Sequence, residues 1–330
     1  MPDELYVHEQ YKFGSKEKER TEFEDHVRRV IEAQKTLAAE HSPGNPQRVF
    51  HAKAHACLAG TLTLLDDRPE TTRHGIFGTS GKSAYNVLAR FSNGVGFEQH
   101  DLAPDVRGLA LKIFGVGGAS ASAAQTVDFL MTNSPNPFGK DQEEFVQFME
   151  ANVGKGLLPF LIGHTAVARL LMKATLKIIP SLATEQYWSG HPYLLGPDQA
   201  MKFNVRPIES SRSETDDELR QGASSLQSTV EEGGGGLEHQ IKRWFEMGTV
   251  GTFKVVPNYL GIELRNRLQR GPIKFTFSVQ LEKDPQATPT EDGLVEWKES
   301  DTPSVPVAEL ARLSLFREES IDLSRCRVRK

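Results

Sequence analysis

The stretch that decides the fold is Arg48 to Leu64, RVFHAKAHACLAGTLTL. Its small and β-branched residues predict an extended chain. Three further short runs of the same kind follow, separated by Gly, Pro, Asn and Asp: NVLARFSN, VRGLALKIF and TVDFLMT. Several short strands at this spacing favour an all-β barrel or sandwich over alternating βαβ units.

Helical patterns flank this region. Residues 12–41 contain no Pro and predict an amphipathic helix. The apolar face predicted for it consists of Phe23, Val27, Val30 and Ile31. Residues 140–180 begin with acidic residues and predict further helices that end at Pro180. Strand patterns then return in MKFNVRPI and IKFTFSVQLEK.

Composition narrows the class of protein. The 330 residues carry 39 basic against 44 acidic side chains, a net charge of −5, with 38% hydrophobic residues. These values match an ordinary globular protein and exclude fibrous and disordered classes. An acidic balance argues against a general nucleic-acid binder. The polar start MPDELYVHEQ and the absence of an 18-residue apolar run predict a cytoplasmic protein without a membrane span.

Familiar catalytic and metal motifs are absent. Cys57 and Cys326 lie far apart, so neither a disulfide framework nor a cysteine zinc site is predicted. The sequence has no dinucleotide-binding glycine motif, P-loop, H-E-x-x-H or nucleophile elbow. Residues 210–236, rich in Ser, acidic residues and Gly, predict an exposed, mobile insert.

Three arginines on successive strand-like runs need an explanation. Arg48, Arg90 and Arg107 would be costly if buried without a partner. Either internal salt bridges, with Asp105 as one partner, or a bound polyanion would satisfy them. The pattern leaves both alternatives open.

Two further groups have a structural and a functional interpretation. The odd positions from His51 to Cys57, which include Lys53 and His55, are predicted to share one strand face. A His-x-x-x-His pair suits a helix better than a strand, so zinc binding is disfavoured. The aromatic stretch QYWSGHPY, residues 186–193, favours core packing and a turn over the lining of a substrate channel.

Four ordered segments carry a family resemblance: RVFHAKAHACLAGTLTL, ARFSNGVG, DVRGLALKIF and DFLMTNSPNPF. They resemble segments of the catalases and the smaller catalase-related haem proteins, and PYLLGPDQAMKFNVRP, GPIKFTFSVQLEKDPQATPTEDGLVEW and PVAELARLSL resemble later barrel segments. The resemblance implies an α+β fold, an antiparallel eight-stranded β-barrel with flanking helices and a haem b. It divides the chain into a helical arm 1–45, a barrel domain 46–315 and a tail 316–330.

The resemblance also implies roles for individual residues. His51 corresponds to the distal acid–base residue, and Ser92 would orient its ring. Arg48 and Arg90 would bind the haem propionates, and Phe138 would lie at the haem edge or in the core. Full catalases have an asparagine four residues after an Asp; Thr132 holds that place relative to Asp128, and Asn133 follows it. Both are therefore candidates for the polar partner.

The family's iron ligand is a tyrosine on a C-terminal helix, which no residue of this sequence matches. The last tyrosine, Tyr259, lies well upstream, and Cys326 is disfavoured as a substitute, so the metal ligand stays unknown. The implied activity is that of a catalase-related haem oxidoreductase, which cleaves the O–O bond of hydrogen peroxide or organic (fatty-acid) hydroperoxides with the help of a distal His and Asn. The altered position of the asparagine favours a peroxidase-like or hydroperoxide-rearranging activity over true catalase activity. The alternative is a non-catalytic catalase-fold protein that binds a lipid-like ligand, or haem without turnover. A small-molecule peroxide and a second copy, forming a homodimer, are the expected partners.

Overall fold

The computed structural model describes residues 11–41, 43, 48–78, 83–117, 125–154, 156–177, 179–208 and 257–315. The predicted insert 210–236, the tail 316–330 and with it Cys326 lie outside the described residues.

Antiparallel strands of the described residues form one sheet. They are β1 Ala54–Leu64, β2 Ala84–Asn93, β3 Arg107–Phe114, β4 Thr126–Thr132, β5 Tyr187–Trp188, β6 Tyr193–Leu195, β7 Gln199–Pro207, β8 Phe275–Leu281 and β9 Val305–Leu315. Their order is β5-β4-β3-β2-β1-β9-β8-β7-β6, and β5 also pairs with β7. This second pairing closes eight strands into a barrel and leaves β6 as a hairpin partner of β7. The predicted eight-stranded barrel is confirmed.

The barrel interior is aromatic and aliphatic. Alternate residues of β8, Phe275, Phe277 and Val279, are fully buried, as expected for the inward face of a strand. Phe129 packs edge-on against Phe203 and Phe277, with ring centroids 4.8 and 5.0 Å apart. Burying side chains of this size stabilises the fold by about 1.5–3 kcal/mol each.

The helices are α1 Lys16–His41, α2 Gln142–Val153, α3 Leu157–Gly163, α4 Thr165–Thr175 and α5 Tyr259–Arg270. Asp141 caps α2 by accepting a hydrogen bond from the Glu144 N–H at 3.0 Å. The predicted helical region therefore forms three helices, and the last ends before Pro180. No single described helix is long and apolar enough to cross a membrane; α3 and α4 meet that test only as a pair bent by 117°.

The predicted apolar face of α1 is wrong for three of its four residues; the fourth, Val30, packs beside Ala33 and Leu37. Phe23, Val27 and Ile31 are 51%, 40% and 46% exposed. The buried residues of α1 are instead His26, Ala33 and Leu37. Arg29 forms ion pairs with Glu143 and Glu150 of α2, each with a contact at 2.7 Å. The face of α1 that packs on α2 is therefore rotated from the predicted one. Tertiary contacts with α2 thus outweigh the local apolar spacing.

The prediction that His51 to Cys57 share one strand face is also wrong. Strand β1 begins at Ala54, and its pairing with β2 shifts register between Ala54 and Ala56, which leaves His55 as the extra residue of a β-bulge. His51 precedes the strand and has a left-handed backbone, φ 59°. Regular alternation therefore does not extend across this segment.

Candidate functional site

A cavity of about 570 Å³ lies between the barrel and the helices α2 to α4. Its floor consists of two cross-strand rows on the outer face of the barrel. One row is Ser92, Gly108, Thr132 and Trp188; the other is Arg90, Ala110 and Leu130. Residues directly opposite in an antiparallel pair share a face, so the strand register brings these side chains together. Small residues at the centre of both rows leave a shallow floor.

His51 lies above this floor and is fixed at both its backbone and its ring. Its N–H donates to the Gly94 carbonyl at 2.7 Å. Its ring Nδ1 lies 2.5 Å from the Asn93 carbonyl and 3.2 Å from the Ser92 hydroxyl. A left-handed backbone is unusual for histidine, and these bonds hold it there.

The bonding pattern assigns the tautomer of His51. A carbonyl can only accept, so Nδ1 carries the proton that is donated to Asn93. Burial lowers the pKa of His51, and the positive charges of Arg90 and Arg48 lower it further. The ring is therefore neutral near pH 7, and Nε2 holds a lone pair without a hydrogen-bond partner among the described residues. A neutral imidazole in this state can accept a proton from a bound ligand.

Gly108 allows the ring of His51 to lie close to the floor. A Cβ atom at position 108 would lie 2.5 Å from His51 Nδ1, 2.7 Å from its Cε1 and 2.8 Å from the Ser92 hydroxyl oxygen. All three distances are shorter than ordinary van der Waals contact. A glycine is thus required here by close approach rather than by backbone conformation.

The structure places Thr132 at the cavity and Asn133 away from it. Thr132 lies in the floor row with Ser92, and strand alternation turns the next residue to the opposite face. The Asn133 carboxamide oxygen accepts from the Arg107 backbone N–H at 2.7 Å. The structure therefore does not bring Asn133 to His51.

Arg107 is an internally paired arginine. Its guanidinium lies 3.4 Å from the Asp105 carboxylate and donates to the Asp101 carbonyl at 2.5 Å, with both side chains of the ion pair buried. Of the two alternatives for the three arginines, the internal salt bridge with Asp105 applies to Arg107.

Comparisons with known proteins show a partial sequence match and a shared fold. The catalase family model matches residues 17–155. The chain is similar to a fungal catalase (19% identity, TM-score 0.55), a bacterial catalase (17%, 0.55) and catalase A from Saccharomyces cerevisiae (17%, 0.56). The chain therefore has the fold of the catalases. The matches cover 84%, 85% and 94% of this chain but 52%, 51% and 58% of those catalases, so it spans about half their length. A search of curated proteins finds no match.

The catalase fold implies a haem, and two arginines at the cavity fit its propionates. Arg90 donates to the backbone carbonyls of His51 and Ala52, at 2.8 and 3.3 Å. Burial and the charge of Arg48 lower the pKa of Arg90 to about 10. Among the described residues, no carboxylate pairs with either Arg48 or Arg90. Two neighbouring cations without an anion match a dianionic ligand.

The walls of the cavity fit an apolar ring system. Phe138 lines it and packs against Phe148 of α2, with ring centroids 5.7 Å apart. Other apolar lining residues are Phe50, Val106, Phe145, Leu157 and Leu171. Apolar walls with a few polar groups at one side are typical of cofactor sites.

Among the residues that the structure describes, none is suited to the tyrosinate role that catalases use to bind iron. Tyr193 is the one tyrosine of the described residues that lines the cavity, and burial raises its pKa, which disfavours the tyrosinate that binds iron. The hydroxyls of Tyr259 and Tyr187 are bound to the carbonyls of Ile179 and Leu182.

Sequence reasoning missed part of this site. In the stretch 186–193, Tyr187 is buried in the barrel core, whereas Trp188, His191 and Tyr193 line the cavity, so both interpretations apply to different residues. The roles of Asn93 and Gly108 could not be seen in residue types alone, since one acts through its carbonyl and the other through a missing side chain. Their positions become evident only from the pairing register of β2 with β3.

Proposed function

We propose that the protein is a haem-dependent oxidoreductase that cleaves the O–O bond of hydrogen peroxide or an organic hydroperoxide. The observation that supports this most is the state of His51: a neutral ring with Nδ1–H held by Asn93 and Nε2 unpartnered, in a cavity that also contains Arg48 and Arg90. Catalase-family sequence and fold support the same reaction class.

His51 would act as the proton-transfer group. Its Nε2 lone pair accepts the proton of a hydroperoxide O–H, and the resulting imidazolium returns that proton to the leaving oxygen, which departs as water or an alcohol. The Nδ1–H bond to Asn93 keeps the ring in the tautomer that this transfer requires. The lowered pKa of His51 keeps the starting ring neutral.

Other residues would bind and orient. A bound haem would supply a redox-active iron, the source of the two electrons that breaking the O–O bond requires. Arg48 and Arg90 would hold its propionates by charge-assisted hydrogen bonds, and Phe138 would contact its apolar edge. Thr132 is the polar partner that the geometry favours, although its hydroxyl also donates to the Ser134 carbonyl at 3.2 Å.

A second function, binding without turnover, is favoured by the lack of a described iron ligand at the cavity. Two cations beside apolar walls also suit a carboxylate with a hydrocarbon chain. In that case, the preparation would contain a fatty-acid-like molecule and would not need haem.

The deciding experiment combines spectroscopy with kinetics. Purified full-length chain is titrated with haem, and the Soret band gives the stoichiometry. We expect one haem per chain, and a His51→Ala variant that retains haem but loses about 10²-fold or more of its hydroperoxide turnover. His164→Ala is the control, because His164 lies outside the cavity, where its ring stacks on Phe160.

Two results would refute the proposal. The first is the absence of a stoichiometric Soret band, and the second is turnover in His51→Ala within a few-fold of the wild-type rate. A fatty acid found by mass spectrometry in a haem-free preparation would support the second function.

A further inference from the structure

Helix α1 exposes a row of apolar side chains that its packing on α2 does not use. Phe23, Val27 and Ile31 are each at least 40% exposed, whereas the buried residues of α1 lie on another face of the helix. Residues four positions apart are neighbours on a helix surface, so these three form one continuous row, the α1 stripe. Single exposed apolar residues are ordinary, but apolar residues that adjoin one another on a surface typically mark a contact with another molecule.

One edge of the α1 stripe is charged, and the two signs are separated along the helix. Glu17, Glu24, Arg28 and Lys35 lie along the edge that faces away from α2, because steps of seven and four residues return to nearly the same side of a helix. The two acidic residues come before Val27 and the two basic ones after it. All four are exposed, so this edge is open to a partner.

The ion pairs that this edge forms within one chain are exposed and local. They are Arg20–Glu24, Asp25–Arg28 and Lys35–Glu32, all inside α1. Exposed pairs of this kind contribute little to stability. Their side chains can therefore exchange partners at low cost.

A second copy of α1 matches the stripe when the two helices run antiparallel. A symmetric contact of this kind places a two-fold axis at Val27, so that Val27 faces its own equivalent. The rise of about 1.5 Å per residue puts Phe23 and Ile31 about 6 Å to either side of that axis. Each Phe23 therefore faces Ile31 of the second copy, and the two apolar rows cover each other.

The same arrangement brings the two charged edges together with opposite signs facing. Arg28 lies about 1.5 Å from Val27 along the helix and Glu24 about 4.5 Å on the other side, so an antiparallel partner puts its Glu24 within about 3 Å of Arg28 along the axis. Lys35 and Glu17, about 12 and 15 Å from Val27, meet in the same way. Each pair occurs twice by symmetry, and charge pairs beside an apolar helix seam set partner choice and orientation.

We propose that the α1 stripe is the interface of a homodimer in which the α1 helices of two copies pack antiparallel about Val27. The charged edge favours a second copy over a membrane surface, because an anionic membrane attracts a basic face rather than one with both signs. The interface is small, so we expect a reversible dimer at micromolar concentration rather than an obligate one. This inference does not depend on haem or on turnover.

Sedimentation velocity of the purified chain, from low to high micromolar concentration and without added haem, measures the equilibrium. Val27→Glu places two like charges at the axis and should weaken the dimer about tenfold or more. Ile162→Glu is the matched control, because Ile162 of α3 is also exposed but lies outside the stripe, and it should dimerise like the wild type. Arg28→Glu should weaken the dimer several-fold, and adding Glu24→Arg should restore it, because the two changes exchange the charges of one pair.

Cysteine cross-linking tests the register of the two helices. In a chain with Cys57→Ala and Cys326→Ala, Val27→Cys should give a disulfide-linked dimer on mild oxidation, because the two equivalent positions meet at the axis. Phe23→Cys alone should not cross-link, because its two copies lie about 12 Å apart along the helices, too far for a disulfide. A mixture of Phe23→Cys with Ile31→Cys should cross-link again.

Four results would overturn the inference. They are a monomer at every concentration, a dimer that Val27→Glu leaves unchanged, cross-linking of Phe23→Cys alone as fast as that of Val27→Cys, and binding of a monomeric chain to anionic phospholipid vesicles that Val27→Glu abolishes. Circular dichroism checks that each variant folds, which we expect because the substituted side chains of α1 are exposed. If Val27→Glu does not fold, the charge exchange between Arg28 and Glu24 gives the same decision.

Discussion

Gly108→Ala is the substitution that tests the geometry of the cavity floor most directly. The added methyl would lie 2.5 Å from His51 Nδ1 and 2.8 Å from the Ser92 hydroxyl oxygen. Ordinary contact between such atoms needs about 3.5 Å. Because Gly108 lies in a strand paired on both sides, the ring must move, by about 1 Å. That movement breaks the 2.5 Å bond to Asn93.

The expected effect falls on turnover more than on folding. A misplacement of about 1 Å in a reacting group can cost about 10²-fold in rate, whereas overpacking of this kind costs about 1–3 kcal/mol of stability. We therefore expect hydroperoxide kcat to fall by about two orders of magnitude in a protein that still folds. Stopped-flow kinetics, with circular dichroism for the fold, measure both.

The matched control is Gly163→Ala. A Cβ at Gly163 would meet no atom within 4 Å, so this variant adds the same methyl without a contact. If Gly108→Ala retains kcat within about threefold of Gly163→Ala, turnover does not depend on the close approach of the His51 ring to position 108, and the prediction is refuted.

Three further predictions concern charge. Arg48→Gln and Arg90→Gln should each weaken haem affinity about tenfold, since a charge-assisted hydrogen bond contributes about 1.5–3 kcal/mol; a Soret titration with unchanged affinity would argue against propionate binding. The pKa of His55 is about 4 when folded against 6.5 ordinarily, so the unfolded chain binds this proton more readily, and the free energy of unfolding should fall by up to about 3 kcal/mol as pH drops from 6.5 to 4. Urea denaturation of His55→Gln should lack this component, and identical pH profiles would contradict it. Arg29→Met, which removes the pairs to Glu143 and Glu150, should destabilise the chain by about 1 kcal/mol, measured by the same method at low salt; an unchanged midpoint would show that the network is energetically neutral.

The sequence was sufficient for the barrel and for the polar groups that meet at its outer face. The resemblance to the catalases predicted the eight strands, and Arg48, His51, Arg90 and Ser92 do line one cavity. Arg90 and Ser92 lie in paired strands and His51 lies shortly before one, so that spacing along the chain translates into position. Their catalytic and cofactor-binding roles stay predictions.

The sequence predictions that fail share a physical cause. Residue patterns specify that a helix or strand forms better than they specify the register of the strand or the rotation of the helix. In a strand, one residue separates the two faces, so the bulge at His55 interrupts the alternation that was predicted from His51 to Cys57. The same one-residue step puts Thr132 at the cavity and Asn133 behind it. The proposed proton-transfer site near the strand ends is therefore sensitive to single-residue shifts, and the polar partner proposed for His51 follows from strand register rather than from the presence of an asparagine in the sequence.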